Sequence, residues 1–193
     1  MSYGPTTGLV VVDMQNDFAD PQGSLFVTGG DKIVALINAE IAVVEGAGGG
    51  VVYTQDWHPA ETPHFVEFGG VWPAHCVGDT WGAELHPDLE VHGPIVRKGT
   101  NGEDGYSGFS MRDPVTGAEG PTELDKILRS QGVEQVVVVG LALDVCVKAT
   151  ALDAVANGYT VSVIAEQSAS VNLEPGDGER ALAELADASV VVR

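Results

Sequence analysis

Apolar residues along the chain fall into six short runs, separated by longer segments with a helical pattern. The runs are rich in Val and show little alternation of apolar and polar side chains, which is typical of strands covered on both faces. They cover residues 8–13, 50–55, 94–97, 135–140, 159–165 and 188–192. Helices are predicted at residues 31–46, 122–131, 144–157 and 177–187. This alternation predicts an α/β fold in which a doubly wound, mostly parallel sheet of about six strands carries helices on both faces.

The size and charge of the chain narrow the classes of function. A chain of 193 residues is expected to form a single domain over residues 1–193. The formal net charge is −19 with only nine Lys and Arg residues, so we expect a small-molecule substrate and no nucleic-acid or membrane partner. Residues 1–7 lack the features of a secretory signal, which favours a cytoplasmic location. Association into a homo-oligomer is left open.

Chemically active side chains follow the predicted strands at their carboxyl ends. They are Asp13 after the first strand, Asp56 and His58 after the second, Lys98 after the third and Cys146 after the fourth. Ligands of open parallel sheets bind where these ends meet, so we expect the five side chains to share one site. The walls of that site are predicted to come from the long loops at residues 16–30, 57–93 and 99–121.

Cys146 lies in the first turn of the helix predicted over residues 144–157. Asp144 is placed to cap this helix, and Asn157 with Gly158 is placed to end it. The positive end of the helix dipole favours a thiolate, and backbone N–H groups there can stabilise an oxyanion. The alternative for an isolated cysteine is a small buried residue that packs the helix against the sheet.

The acid and the lysine also have simpler interpretations. Asp13 could be a turn residue that bonds to nearby backbone, and Lys98 could be a solvated surface lysine. Together with Cys146, however, they supply a base, a cation and a nucleophile from three strand ends.

One carboxylate and three imidazoles lie within twenty residues of each other, which indicates a transition-metal site. They are Asp56, His58, His64 and His75. Such a set suits zinc, iron or manganese. His86 and His92 follow the cluster and are interpreted as surface or hydrogen-bonding residues.

Two other chemistries are not supported by the motifs. Ser107 resembles the serine of a hydrolase elbow, but Phe109 replaces the required glycine and no predicted strand leads into the motif. The three glycines at residues 48–50 precede a strand and lack the lysine of a phosphate loop, so they predict a helix-to-strand turn.

Six segments, in this order, resemble the nicotinamidase/pyrazinamidase family within the isochorismatase-like hydrolases. They are VDMQNDF (12–18), YTQDWH (53–58), WPAHC (72–76), KG (98–99), GYSGF (105–109) and DVC (144–146). The resemblance covers almost the whole chain and implies the isochorismatase-like hydrolase fold. It also implies hydrolysis of nicotinamide to nicotinate and ammonia in NAD salvage, and activity on pyrazinamide.

The resemblance assigns catalytic roles to the residues at matching positions. Cys146 is the expected nucleophile that forms a thioester, Asp13 the general base and acid, and Lys98 the cation that orients Asp13 and favours the thiolate. A cis peptide between Leu141 and Ala142 is implied, which would place the N–H groups of Ala142 and Cys146 together as an oxyanion hole.

The resemblance also implies a metal and a substrate pocket. One divalent transition metal, with zinc preferred over iron and manganese, would be held by the set Asp56, His58, His64 and His75. The expected substrate contacts are the aromatic walls Phe18 and Trp72, together with Tyr106 and Val145. Val145 stands where many relatives carry Tyr or His.

Two alternative functions remain from the sequence. Metal-free relatives act on isochorismate, carbamoyl or ureido substrates, and they generally lack the Asp-and-histidine metal set. A catalytically silent binding module would not need Asp13, Lys98 and Cys146 together, and this chain has all three.

Overall fold

A computed structural model describes residues 2–193, in which six parallel strands form one sheet. The strands are β1 (Thr7–Val12), β2 (Gly50–Asp56), β3 (Ile95–Lys98), β6 (Gln135–Leu141), β7 (Thr160–Ala169) and β8 (Val191–Val192). Across the sheet they lie in the order β3-β2-β1-β6-β7-β8. A separate antiparallel hairpin joins β4 (Ser110–Arg112) to β5 (Glu119–Pro121).

In the described part of the chain, five α-helices accompany the sheet, and one π-helical turn follows β6. The helices are α1 (Asn16–Ala19), α2 (Gly30–Gly46), α3 (Leu124–Ser130), α4 (Lys148–Ala156) and α5 (Asp177–Asp187). The π-helical turn is Leu143–Val147, and two 3-10 turns are Val66–Phe68 and Trp81–Ala83. No helix within residues 2–193 is both long enough and apolar enough to cross a membrane.

Alternate residues of β1 belong to two different hydrophobic cores, because neighbouring side chains of a strand point to opposite faces. Leu9 and Val11 pack in the core that includes Ile37 of α2. Val10 and Val12 pack in the core that includes residues of α3, α4 and α5. The sheet is therefore covered by helices on both faces, as the unalternated apolar runs predicted.

The carboxyl ends of four strands meet at one edge, because β1 lies between β2 and β6 with its residues in matched register. Val11 pairs with Tyr53 of β2, and Val12 pairs with Gly140 of β6. Asp56 at the end of β2 pairs with Lys98 at the end of β3. The long helix that follows β1, α2, packs on one face of the sheet, and the helix that follows β6, α4, packs on the other, so the predicted ligand-binding position lies at the switch point between β1 and β6.

The structure differs from the sequence prediction mainly in the loops and at strand ends. Asp56 and Lys98 are the last residues of their strands and do not follow them, and β7 extends to Ala169. The loop predicted over residues 99–121 contains the β4–β5 hairpin. Each strand of this hairpin has only three residues, which is too short for a periodic pattern to be recognised.

Candidate active site

Three side chains from separate strand ends lie together and are named here the strand-end group, consisting of Asp13, Lys98 and Cys146. Asp13 follows β1 with a φ of 48°, Lys98 ends β3, and Cys146 lies in the π-helical turn after β6. All three are buried, and Asp13 and Lys98 are fully so. The interpretation of Lys98 as a solvated surface residue is therefore wrong.

Lys98 is the centre of the strand-end group. Its Nζ donates a hydrogen bond of 2.7 Å to Oδ2 of Asp13 and lies 3.9 Å from Sγ of Cys146. It also donates to Oδ1 of Asp56 and to the carbonyl oxygen of Gly105. On the other side of Asp13, the hydroxyl of Thr54 donates to Oδ1 at 2.7 Å. Asp13 is thus fixed through both of its oxygens.

The two carboxylates that share Lys98 have pKa values shifted in opposite directions. Burial raises the pKa of Asp13 to about 6, although Lys98 acts to lower it. Burial also acts to raise the pKa of Asp56, but attraction by Lys98 and the nearby histidines outweighs it and holds that pKa well below its usual range. Asp13 is therefore the more basic carboxylate and the better proton acceptor.

Burial raises the pKa of the Cys146 thiol well above its ordinary value, and Lys98 only partly offsets this. The sequence predicted that the start of the helix favours a thiolate, but in the free protein burial favours the protonated thiol.

Asp144 is not the cap of this helix, contrary to the sequence prediction. Ala142 holds the cap position, and no side chain bonds there. Instead, the Asp144 carboxylate accepts hydrogen bonds from the N–H groups of Val171 and Asn172.

A second cluster, named the histidine group, consists of His58, His64 and His75. All three are buried, and one nitrogen of each lies within 4.8 Å of the others. The Nε2 atoms of His58 and His75 lie 3.7 and 3.9 Å from Oδ2 of Asp56. Asp56 therefore faces Lys98 with one oxygen and two histidines with the other.

The histidine group fits a transition metal. Neither ring nitrogen of His58 has a hydrogen-bond partner among residues 2–193, although both are buried. Burial lowers the pKa of His64, and it lowers that of His75 to about 4, so both imidazoles stay neutral as metal ligands require. Three imidazoles and the Asp56 carboxylate form a set that suits zinc, iron or manganese.

The close approach of the loops around His58 depends on a glycine. Gly99 has a φ of 75°, and a Cβ placed on it would lie 2.6 Å from Nδ1 of His58. Any larger residue would both strain the backbone and displace the imidazole.

A cavity that is partly open to solvent connects the two groups. Its lining includes all four predicted substrate contacts, which are Phe18, Trp72, Tyr106 and Val145. Asp56, His64, His75, Ala142 and Cys146 also line it. The peptide bond between Leu141 and Ala142 is cis. Nε1 of Trp72 donates to the hydroxyl of Tyr106 at 3.0 Å, which joins two walls of the cavity.

Some residues that shape the site were missed by the sequence reasoning. The Gln15 side chain accepts a hydrogen bond from the Asp56 N–H and donates one to the Asp56 carbonyl oxygen, which fixes the backbone of that residue. Asp17 accepts one from the N–H of Cys76, next to His75. Both residues belong to the segment VDMQNDF that contains Asp13. Their position in this segment was the sequence signal that could have identified them as site residues.

The remaining histidines lie outside the cluster. His92 is exposed and faces Glu45 at 3.2 Å, and Nδ1 of His86 accepts a hydrogen bond from the Asp88 N–H. The prediction that both are surface or hydrogen-bonding residues is confirmed.

Comparison with known proteins identifies the family. The family model for the isochorismatase domain matches residues 7–193. The chain belongs to the isochorismatase family. Within this family it is similar to the nicotinamidase of Escherichia coli (strain K12). The alignment, 206 positions long with gaps, has 36% identity and covers 97% of this chain and 94% of that protein.

Two solved structures resemble this chain over almost their whole length. The pyrazinamidase of Pyrococcus horikoshii in complex with zinc has a TM-score of 0.86 and 40% identity, covering 98% of this chain and 99% of that one. PnC1 from L. infantum in complex with nicotinate has a TM-score of 0.90 and 37% identity, and the match covers 100% of this chain and 95% of that one. The predicted family and fold class are confirmed.

Proposed function

We propose that the protein is a nicotinamidase that hydrolyses nicotinamide to nicotinate and ammonia in NAD salvage, and that it also accepts pyrazinamide. The observation that carries this proposal is the shared cavity, which has a buried thiol at one end and the histidine group at the other. Nicotinamide has a matching pair of features, an electrophilic carboxamide and a ring nitrogen with a free lone pair. The similarity to nicotinamidases supports the same substrate.

Substrate binding is assigned to the flat and apolar walls of the cavity. Phe18 and Trp72 are each only 8% exposed and offer aromatic faces to a planar ring. Val145 adds an apolar contact next to the nucleophile. These walls also exclude water, which strengthens electrostatic interactions at the reacting amide.

The histidine group, together with Asp56, would hold a divalent transition metal, with zinc preferred over iron and manganese. A cation bound there would supply Lewis acidity towards the ring nitrogen, which would orient the carboxamide towards Cys146. Zinc is present in the similar pyrazinamidase structure from Pyrococcus horikoshii.

The first half of the reaction belongs to the strand-end group. Asp13 accepts the proton of the Cys146 thiol while sulfur forms a bond to the carboxamide carbon, and Lys98 stabilises the negative charge on both residues. The N–H groups of Ala142 and Cys146 are the proposed donors to the oxyanion. Asp13 then passes its proton to the amide nitrogen, the C–N bond breaks, and ammonia leaves a thioester on Cys146.

The second half returns the enzyme to its starting state. Asp13, again ionised, accepts a proton from a water molecule that attacks the thioester carbon. The C–S bond breaks, the sulfur of Cys146 regains a proton from Asp13, and the released nicotinic acid gives its carboxylic proton to the solvent to become nicotinate. One water is consumed for each nicotinamide.

The test is to assay ammonia release with a panel of amides and to measure metal content in the same sample. Nicotinamide and pyrazinamide are expected to be hydrolysed by protein that contains about one metal ion per chain, while carbamoyl and ureido compounds react slowly or not at all. Preferential hydrolysis of a ureido or carbamoyl compound by metal-free protein would refute the proposal in favour of the metal-free branch.

A further inference from the structure

Asp104 is a carboxylate outside the predicted metal set that contacts one of its histidines. Its Oδ1 lies 2.6 Å from Nδ1 of His64. The backbone of Asp104 is held on both sides, because its N–H donates to the carbonyl oxygen of Arg112 at 2.7 Å and its own carbonyl accepts from the Arg112 N–H at 3.0 Å. The carboxylate is thus presented to His64 from a fixed position beside β4.

The two loops that carry His64 and Asp104 are joined by a second contact. The hydroxyl of Thr62 donates to the carbonyl oxygen of Gly102 at 3.1 Å and accepts from the His64 N–H at 3.2 Å. The pairing of His64 with Asp104 therefore belongs to an ordered contact between loops, not to a chance approach of two exposed side chains.

The three histidines differ in what holds their rings. His58 and His75 each have a ring nitrogen within 4 Å of Asp56, whereas His64 has no such contact with Asp56 among the residues the structure describes. Nδ1 of His75 also lies 2.7 Å from the carbonyl oxygen of Pro73 in its own loop. His64 depends on Asp104 from a different loop, and Asp104 is the only acidic side chain that contacts it within the described chain.

The contact at Nδ1 decides what the other nitrogen of His64 can do. An acceptor at Nδ1 keeps the proton there, leaves the lone pair on Nε2 free for a metal, and fixes the orientation of the ring. A carboxylate does this more strongly than a neutral acceptor, because hydrogen bonds to charged groups are stronger. It also makes Nε2 more basic and therefore a better ligand.

We propose that Asp104 is a positioning residue for metal binding, and that its carboxylate holds His64 with Nε2 directed at the cation, while the other two histidines face Asp56. This inference rests on the metal site in the proposed function. Asp104 is not itself assigned as a ligand, because its near oxygen is engaged by His64 and it lies outside the group of closely spaced donor atoms.

The test compares Asp104→Ala and Asp104→Asn with wild type and with Glu103→Gln. Glu103 is the neighbouring acid, and its carboxylate bonds to Asn101 instead of a histidine, so the control removes the same charge without touching His64. Each full-length protein is stripped of metal, and the dissociation constant for zinc is measured by competition with a chromogenic chelator. The visible spectrum of the cobalt-substituted protein is recorded as a second readout of the ligand set.

Asp104→Ala is expected to weaken zinc binding by about 10- to 100-fold and to change the cobalt spectrum. Asp104→Asn, whose amide oxygen can still accept from Nδ1, should fall between Asp104→Ala and wild type, and Glu103→Gln should match wild type. Thermal unfolding of the metal-free proteins separates this effect from general destabilisation, because a purely structural role would lower the melting temperature without changing the zinc affinity of the folded protein.

Zinc affinities of Asp104→Ala and Asp104→Asn within about twofold of wild type would overturn the proposal, as would a wild-type protein that binds none of zinc, iron or manganese. If Asp104→Ala does not fold, the comparison of Asp104→Asn with Glu103→Gln still decides the question. The function is tested separately by amide hydrolysis, so a protein that binds zinc through Asp104 but does not cleave nicotinamide would refute only the proposed function.

Discussion

The strand-end group and the histidine group share one cavity but differ in how fully the protein satisfies their polar atoms. Both oxygens of Asp13 accept hydrogen bonds, and Lys98 reaches three oxygen acceptors. In contrast, both ring nitrogens of His58 are buried without a partner in the described part of the chain. A buried polar group without a partner is costly, so the histidine group is stable mainly when a cation completes it.

This difference assigns separate tasks to the two groups. The strand-end group is built at the ends of regular strands, and its polar atoms are satisfied without any added component. The histidine group is built on loops, and in the proposed function it would hold the cation that anchors the substrate ring. Asp56 directs one oxygen at each group. It is therefore the residue through which binding or loss of the cation can alter the electrostatic environment of Lys98.

The largest expected effect comes from removing the nucleophile. Cys146→Ala should lower kcat for nicotinamide by at least about 10⁴-fold, because the other residues of a catalytic unit do little once the nucleophile is gone. Affinity for nicotinamide should change little, since the cavity walls and the cation provide the binding. Steady-state assays and calorimetry of the metal-loaded variant measure both quantities.

Cys76→Ala is the matched control for the nucleophile. Cys76 is also buried, but its sulfur is only a weak donor to the Gly82 carbonyl oxygen at 3.9 Å. This variant should keep turnover within a few-fold of wild type. Comparable losses in both variants would point to damaged packing and not to covalent catalysis.

The next largest effect is expected from removing the metal. Loss of partners that only support metal ligands costs about 10- to 100-fold in activity or affinity, so loss of the cation should reduce nicotinamide hydrolysis by more than about 100-fold. Cys146 should still react with iodoacetamide at a rate within a few-fold of the loaded protein, because the strand-end group is complete by itself. Chelation followed by parallel assays of ammonia release and alkylation tests both statements.

His58→Ala should reproduce the chelated state, and added zinc, iron or manganese should restore activity only to the wild type. His92→Ala is the control, because His92 is exposed and contacts Glu45 instead of the histidine group. If protein verified to be metal-free hydrolysed nicotinamide at the full rate, the histidine group would not be needed to anchor the substrate, and the two groups would not have separate tasks.

A more selective effect is expected in the preference for a ring nitrogen. Benzamide has the amide and the ring shape of nicotinamide but lacks the pyridine nitrogen, so the cation cannot anchor it. The ratio of kcat/KM for nicotinamide to that for benzamide should be large in the loaded protein and should fall towards one after metal removal. A ratio that stays large in metal-free protein would mean that the cavity walls recognise the nitrogen instead.

The sequence predicted the elements that depend on local pattern. The Val-rich runs marked all six strands of the main sheet because buried parallel strands need continuous apolar residues. The position of Asp13, Lys98 and Cys146 at strand ends predicted that they would meet, because parallel strands bring their carboxyl ends to one edge. The spacing of the histidines predicted a cluster, and the structure brings all three within 4.8 Å.

Contacts between distant loops could not be predicted in the same way. Asp144 has the right type and position for a helix cap, yet it bonds to Val171 and Asn172, which are brought near only by the folding of β7 beside β6. The burial of Cys146, which raises its thiol pKa, likewise results from packing against several elements. Local propensity is a weak prior wherever such tertiary contacts compete with it.

The smallest expected effect comes from Thr54, which tests whether the fixed geometry of the strand-end group also tunes its base. The Thr54 hydroxyl donates to Asp13 and so acts to lower the Asp13 pKa, which burial raises to about 6. Thr54→Val removes this bond, disfavours the ionised form and should raise the pKa further. Because Asp13 must be ionised to accept the thiol proton, kcat/KM decreases as pH falls through this pKa, and the decrease should begin about one pH unit higher in the variant. At higher pH, where Asp13 is ionised, the rates should stay close to wild type.

Thr7→Val is the control, because it makes the same change at the opposite end of the sheet and should leave the pH profile of kcat/KM unchanged. Metal content is measured at each pH, so that loss of the cation is not mistaken for protonation. An unchanged acidic limb in Thr54→Val would show that Asp13 is not the group whose ionisation controls the reaction.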